Sequence, residues 1–204
     1  WTLPVDQSRN YRFQLAVDDF DRDGWLDLAI AEYDRSRVFR WSPEKMAFED
    51  VSVDRGIRVD RSSVTSPTHL VGWIDFDNDG FDDVYVANIG ANRLFQNNGD
   101  GTFHDVTGQA DVGDPRWSTS CVIADLNGDS LPDIYSVNYL EAESIFETVC
   151  QHKDGLPRMC MPFHFPAAQD QLFLNLGNGQ FSNVTEVCGV QVPNGKGLGV
   201  VAAD

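Results

Sequence analysis

Residues 75–83 read DFDNDGFDD, and this stretch decides what the rest of the chain is expected to form. Aspartates stand at its first, third, fifth and ninth positions, and a glycine stands at the sixth. That spacing matches the front of a calcium loop of the EF-hand kind, in which side-chain oxygens and a backbone carbonyl at position seven surround the ion. Four carboxylates this close repel one another unless a cation lies between them. The stretch therefore predicts a calcium site.

Two further stretches repeat the pattern. Residues 19–27 read DFDRDGWLD, which keeps the four aspartates and the glycine. Residues 125–133 read DLNGDSLPD, in which Asn127 replaces an acid and Ser130 stands where glycine is expected. A non-glycine residue at positive φ costs on the order of 1 kcal/mol. We name these stretches loop 1 (19–27), loop 2 (75–83) and loop 3 (125–133), and we expect loop 3 to bind more weakly than loop 2 or to be arranged differently.

Each loop is predicted to bind calcium through four side chains and the carbonyl at position seven. Oxygen ligands without sulfur or imidazole favour calcium over zinc. The predicted ligands are Asp19, Asp21, Asp23, Trp25 and Asp27; Asp75, Asp77, Asp79, Phe81 and Asp83; and Asp125, Asn127, Asp129, Leu131 and Asp133. About three ions are expected, with a structural role, because each would tie two strands together. The alternative is that the loops are solvated turns, in which Asp is common for its turn propensity alone.

The segments around the loops repeat as well. In residues 69–107 a run HLVGWI precedes the loop, and VYVAN, RLFQN and FHDVT follow it. Such short runs, rich in β-branched and aromatic residues, are typical of strands, and the intervening NNGDG favours a tight hairpin. Each unit is therefore predicted to have four strands in meander order, with the acidic loop between the first two. Units of this kind, repeated radially, are typical of β-propeller blades, so the predicted fold is an all-β partial propeller.

The repeat spacing divides the chain into about three blades and the start of a fourth. We expect a single propeller segment over residues 1–204, with blades at about 11–57, 66–112 and 117–190, an insertion over 140–168 within the third, and a new blade starting at 195–204. Asp204 would be the first calcium ligand of that new blade. Three blades and a fraction would leave apolar faces open at both ends, so a larger ring or further copies of the chain are expected to cover them.

The composition limits the possible functions. The 204 residues carry a net charge of −17, which argues against nucleic acid or an anionic membrane as a partner. No apolar run approaches the roughly 18–20 residues that a membrane span needs. The carboxylate clusters are explained by metal binding, and the sequence contains no nucleophile motif, so a non-enzymatic protein is expected. The four cysteines suit an oxidising compartment.

The motifs of residues 69–107 resemble the FG-GAP/VCBS repeat. They are similar to the calcium-binding blades of integrin α-subunit propellers, and more closely to bacterial secreted proteins related to cartilage acidic protein and the ASPIC/UnbV group. Residues 195–204, which read GKGLGVVAAD, and the order FP then LFLN in residues 165–175 also resemble that group. The resemblance implies a calcium-binding propeller of about seven blades, secreted or at the cell surface, that binds a protein or glycan ligand in adhesion or recognition.

Two other functions stay open from the sequence. The chain could be a structural subunit that assembles through its open blade faces into a surface fibre or array. It could also be a carbohydrate-binding or carbohydrate-active propeller, because propeller active sites combine residues from several blades.

The insertion contains Cys150, His152, Cys160 and His164. Their spacing could ligate zinc. A disulfide between Cys150 and Cys160 is favoured instead, because the implied compartment is oxidising and the cross-link would close an exposed loop that lacks a core.

Two further modifications are predicted outside the insertion. Cys121 and Cys188 flank the third unit and could form a second disulfide. Asn183 begins the only N-glycosylation sequon, Asn-Val-Thr, and would be available if the source glycosylates its proteins.

Overall fold

The computed structural model of the chain describes residues 12–32, 35–57, 68–141, 145, 148–158 and 160–203. These residues form antiparallel β-sheets, with one helical turn, α1 (Thr107–Ala110), and a 3-10 turn at Pro162–His164. The prediction of an all-β fold is confirmed. Among the described residues, no helix has the length and apolar character needed to cross a membrane.

Three sheets have four strands each, all in meander order. Sheet 1 contains β1 (Arg12–Asp18), β2 (Asp27–Glu32), β3 (Arg35–Ser42) and β4 (Ala47–Asp50). Sheet 2 contains β5 (Thr68–Ile74), β6 (Asp83–Asn88), β7 (Gly90–Asn97) and β8 (Phe103–Asp105). Sheet 3 starts with β9 (Ser118–Ala124) and β10 (Asp133–Asn138), is interrupted by the hairpin β11 (Cys150–Gln151) and β12 (Pro157–Arg158), and ends with β13 (Gln171–Asn175) and β14 (Phe181–Asn183).

The last strand of each sheet is shorter than the sequence predicts, and a hydroxyl group explains where it ends. A backbone N–H of the third strand donates to a serine or threonine hydroxyl in each sheet. The pairs are Val38 with Ser52 at 2.9 Å, Leu94 with Thr107 at 2.9 Å, and Leu172 with Thr185 at 2.8 Å. Because the side chain accepts the donor, the strand ladder stops two residues before that hydroxyl.

The sheets pack face to face, and sheet 2 lies in the middle. One apolar cluster joins sheets 1 and 2 and includes Phe20, Val38, Val84 and Phe103. A second cluster joins sheets 2 and 3. Strand β6 is buried along its whole length, as expected for a strand that is covered on both faces of its sheet.

The insertion leaves sheet 3 after β10 and returns before β13 without disturbing their pairing. Ile134 of β10 still lies opposite Phe173 of β13. The inserted residues have a small core of their own, made of Leu140, Cys160 and Phe165. The insertion is therefore an appendage to a complete four-stranded sheet.

Residues 195–203 form no strand, and the start of a new blade at 195–204 stays a prediction. Gly197 instead contacts sheet 3: its N–H donates to the Asn138 carbonyl at 3.0 Å, and its own carbonyl accepts from the Thr119 hydroxyl at 3.0 Å. Alternate glycines at 195, 197 and 199 disfavour an extended ladder, because glycine loses the most conformational freedom on ordering.

Candidate metal centres

Each acidic loop joins the first strand of its sheet to the second, and its ninth residue is a buried aspartate. Asp27, Asp83 and Asp133 are 0, 1 and 0% exposed. In each case Oδ1 accepts a backbone N–H from the third strand: from Trp41 at 2.8 Å, Asn97 at 2.7 Å and Asn175 at 2.9 Å. The ninth aspartate thus fixes the loop against the third strand of its own sheet.

The turn of each loop requires two residues at positive φ, at positions four and six. They are Arg22 and Gly24 in loop 1 (56° and 89°), Asn78 and Gly80 in loop 2 (56° and 87°), and Gly128 and Ser130 in loop 3 (84° and 69°). Ser130 therefore adopts the left-handed conformation that its position demands. Loop 3 has its glycine at position four instead of six, which offsets part of that strain.

Carboxylates converge in loops 1 and 2. Asp19, Asp21 and Asp27 each offer an oxygen, and these oxygens lie within 4.8 Å of one another. Asp75, Asp77 and Asp83 do the same in loop 2. These are positions one, three and nine of the predicted ligand sets.

Both convergent groups contain buried carboxylate oxygens that have no hydrogen-bond partner. They are Oδ1 of Asp21 and Oδ2 of Asp27 in loop 1, and Oδ1 of Asp75 in loop 2. Burial of a charged oxygen without a partner is costly. The donor set is all oxygen, which is the chemistry that Ca²⁺ prefers. The residues present therefore fit a calcium ion in loops 1 and 2.

Without a cation, these loops favour protonated carboxyl groups. Burial, together with the smaller effect of the neighbouring aspartates of loop 1, raises the pKa of Asp27 to about 7. Burial likewise raises the pKa of Asp83 to about 8. The pKa of Asp75 is also raised, chiefly by burial. A bound cation would stabilise the charged carboxylates and so oppose these shifts, which means that metal and protons compete for the same oxygens.

In loop 3, Asp125 and Asp129 accept hydrogen bonds from groups of the same loop. Asp125 accepts backbone N–H groups from Gly128 at 2.7 Å and Ser130 at 2.9 Å, and these bonds, that of Ser130 foremost, lower its pKa. The Asn127 amide donates to Asp129 at 2.9 Å. The acids of loop 3 are absent from the convergent carboxylate groups of the described residues. The structure thus brings together three carboxylates from each of two predicted sets and none from the third.

The remaining predicted ligands lie outside the convergent groups. Asp23 accepts the Trp25 N–H at 2.9 Å, and Asp79 accepts the Phe81 N–H at 2.8 Å. The carbonyls of position seven stay a prediction. Asp204 lies outside the described residues.

Sequence reasoning missed two asparagines that connect each loop to the next sheet. Asn97, at the end of β7, donates to the Phe20 carbonyl of loop 1 at 3.0 Å. Asn175, at the end of β13, donates to the Phe76 carbonyl of loop 2 at 2.6 Å. The recurring Leu-Phe-x-Asn of the third strand is the sequence signal that could have found them.

Sequence reasoning also missed the residue that precedes this position on the third strand. In sheet 1 Arg40 Nε donates to Oδ2 of Asp21 at 2.5 Å, and in sheet 2 Gln96 Nε2 donates to Oδ2 of Asp77 at 2.5 Å. The carboxylate at position three of loops 1 and 2 is thus held by a side chain from the same sheet.

A groove of about 400 Å³ lies beside loop 2, between sheets 2 and 3. Its lining includes Asp77, Gln96, Gln109, Asn178 and Gln180. The primary amides each offer donors and acceptors in one plane. The groove is thus suited to a ligand rich in hydroxyl or amide groups.

The cysteine predictions have different outcomes. Cys150 and Cys160 form a disulfide, as predicted, which leaves no thiolates for the zinc alternative. The second disulfide is wrong: Cys121 and Cys188 are free thiols, the first half-buried and the second exposed. Asn183 is exposed at the end of β14, and its amide donates to Gln171 at 2.6 Å.

Stacked four-stranded antiparallel sheets with an acidic loop between their first two strands define a β-repeat protein. Residues 75–136, which run from loop 2 through most of β10, match the family model of an FG-GAP-like repeat. The chain therefore contains an FG-GAP-like repeat, and the inferred resemblance to that repeat is confirmed. A search of curated proteins finds no match to the chain.

Proposed function

We propose that the three sheets are blades of a β-propeller, that loops 1 and 2 bind structural calcium, and that the protein recognises a ligand outside the cell. The observation that carries this proposal is the buried, unpartnered carboxylate oxygens within two convergent groups. Calcium would neutralise those oxygens and bind the start of one strand to the turn before it. The family match and the insertion disulfide support an extracellular place, since disulfides persist in oxidising compartments.

Thermal unfolding of chelated protein against calcium tests the metal sites. A ligand at 100 times its dissociation constant adds about 2.7 kcal/mol per site, and about 1 kcal/mol raises the Tm of a protein of this size by roughly 2–4 °C. We therefore expect Tm to rise by about 5–10 °C per occupied site in millimolar calcium, and to rise much less in equal magnesium.

A matched pair of variants assigns the effect to the loops. Asp75→Asn should remove the contribution of loop 2 to the calcium-induced rise, because it weakens a convergent ligand. Asp111→Asn removes the same charge from an exposed residue at positive φ, which asparagine tolerates, and should leave the rise intact. An unchanged Tm in millimolar calcium contradicts the proposal.

The groove beside loop 2 favours a glycan among the ligand classes. Planar amides form paired hydrogen bonds with neighbouring sugar hydroxyls, and Asp77 adds a carboxylate acceptor. A glycan array with calcium present should give binding that Gln109→Ala combined with Gln180→Ala abolishes. Gln151→Ala, an exposed glutamine in the insertion, is the control. Equal binding by all three proteins would place the ligand elsewhere.

A further inference from the structure

Loops 1 and 2 have the same aspartate spacing but different partners on the third strand. Trp41 and Asn97 donate to the ninth aspartate of their own loop, so they occupy equivalent positions. The residue before each contacts the aspartate at position three: Arg40 in sheet 1 and Gln96 in sheet 2. A guanidinium therefore stands in loop 1 where loop 2 has a neutral amide.

Arg40 is engaged with two acids of loop 1. Its Nε donates to Oδ2 of Asp21 at 2.5 Å, and its Nη2 donates to Oδ2 of Asp23. A second guanidinium lies near the same carboxylate: Nη2 of Arg55 is 3.9 Å from Oδ2 of Asp21. Loop 1 thus already has positive charge at two of its five predicted ligands.

Loop 2 has no ion pair of this kind among the described residues. Among the described residues, the guanidinium of Arg22 lies against loop 2, 4.4 Å from the ring centre of Phe81. It donates to none of the three convergent carboxylates in the described contacts. Loop 2 therefore depends on a cation from solution to balance its convergent carboxylates.

The arginine does not fill loop 1 completely. Oδ2 of Asp27 is fully buried and unpartnered, and so is Oδ1 of Asp21, the carboxylate whose other oxygen Arg40 holds. These two oxygens remain available to a cation, but a divalent ion bound to them would share Asp21 with a fixed positive charge, and like charges at one carboxylate repel strongly.

We infer that Arg40 acts as a tethered cation that holds loop 1 together without calcium and makes loop 1 a much weaker calcium site than loop 2. This inference rests on the proposed function, because it assumes that loop 2 binds calcium. Loop 2 fills first as calcium rises. Loop 1 fills only at higher calcium, when the ion competes with Arg40 for Asp21 and Asp23.

Calcium titration calorimetry on chelated protein, with one loop disabled at a time, tests the inference. Asp75→Asn leaves loop 1 as the intact site, and Asp19→Asn leaves loop 2. We expect loop 2 alone to bind calcium at least tenfold more tightly than loop 1 alone. Adding Arg40→Gln to the Asp75→Asn protein should strengthen loop 1 at least tenfold, and adding Gln96→Arg to the Asp19→Asn protein should weaken loop 2 to a similar extent.

A matched control separates the local charge from net charge. Arg93→Gln removes a guanidinium that pairs with Asp105 at 2.8 Å in sheet 2, and it should change neither affinity by more than threefold. The calcium-free melting temperature gives an independent readout. Arg40→Gln should lower it, because the acids of loop 1 lose their cation, and calcium should restore it.

The outcomes separate the two hypotheses. If the two single-loop proteins bind calcium equally, or if Arg40→Gln changes the affinity of loop 1 less than threefold, the inference is overturned and the proposed calcium sites stand. If neither wild-type protein nor any variant binds calcium, both are overturned. If Arg40→Gln fails to fold, the change in loop 2 caused by Gln96→Arg decides.

Discussion

Replacing Asn97 with alanine should destabilise the protein through the contact between sheets 1 and 2. The Asn97 side chain is 2% exposed and makes four hydrogen bonds. Its amide donates to the carbonyls of Phe20 at 3.0 Å and Asp82 at 3.1 Å, and its oxygen accepts the N–H groups of Gly99 at 3.1 Å and Gly101 at 3.2 Å. One residue thus satisfies groups in loop 1, in loop 2 and in the hairpin that follows β7.

The magnitude follows from the burial of those bonds. The bonds to Phe20 and Gly101 are buried, and each contributes about 1–1.5 kcal/mol because water cannot replace the lost partner. The bonds to Asp82 and Gly99 are partly exposed, and each contributes about 0.5 kcal/mol. Asn97→Ala should therefore lower the free energy of unfolding by about 3–4 kcal/mol, which corresponds to a fall in Tm of roughly 6–16 °C.

The neighbouring residue, Asn98, provides a matched control for this substitution. Asn98 is exposed, and its amide makes one bond, to the Thr102 hydroxyl at 2.9 Å. Asn98→Ala should cost about 0.5 kcal/mol. Urea unfolding in the presence of a chelator measures both variants without a contribution from metal. If the two substitutions differ by less than about 1 kcal/mol, Asn97 does not join the sheets in the way described.

Three further predictions follow from other contacts. In urea unfolding, Gly56→Ala should destabilise the protein far more than Gly179→Ala. Both glycines have positive φ, so alanine costs about 1 kcal/mol of backbone strain at either position. A methyl group on Gly56 would also lie 2.2 Å from the Phe103 carbonyl oxygen, whereas one on Gly179 would contact nothing within 4 Å. Adding calcium to unbuffered metal-free protein at pH 7 should release about one proton per molecule, because Asp27 and Asp83 have pKa values of about 7 and 8 in the folded protein. Because these pKa values are raised, the two groups stabilise the metal-free protein most below about pH 4, and this stabilisation is lost as pH rises through 7 to 8. Calcium should therefore stabilise the protein more at pH 8 than at pH 5.5. Reduction of the insertion disulfide should add 2 Da to the intact mass and leave the calcium response unchanged, because the insertion is an appendage to sheet 3.

The strands and the loops could be predicted from the sequence because their determinants are local. Short runs such as VYVAN, between turn residues, allow little besides a strand. The Asp spacing of loops 1 and 2 places three carboxylates together, since the intervening turn is short and requires two residues at positive φ. Gly24 and Gly80 mark that turn directly.

The rest of the site depends on contacts between residues distant in sequence, which no local pattern reveals. Arg40 reaches Asp21 from the third strand, nineteen residues later, and Asn175 reaches Phe76 across ninety-nine residues. The predicted disulfide between Cys121 and Cys188 was wrong for the same reason, because an even number of cysteines does not show which of them lie close together in the fold. Loop 3 shares most of the acidic pattern, yet its acids are absent from the convergent carboxylate groups of the described residues.

The three loops share one backbone turn but differ in the charge beside their acids, and this has a consequence for how the sheets are held together. In every loop the aspartate at position one accepts the backbone N–H of position six. Loop 1 adds the guanidinium of Arg40, whereas Gln96 gives loop 2 only a neutral amide, so loop 2 depends most on a cation from solution. The carbonyl of Phe20 in loop 1 binds sheet 2, and the carbonyl of Phe76 in loop 2 binds sheet 3. Because each loop presents the carbonyl that the next sheet binds, the ion in loop 2 would act on the contact between sheets 2 and 3, while Arg40 maintains the contact between sheets 1 and 2. Loss of calcium should therefore loosen this protein first on the side of sheet 2 that faces sheet 3, which is also the side with the amide-lined groove.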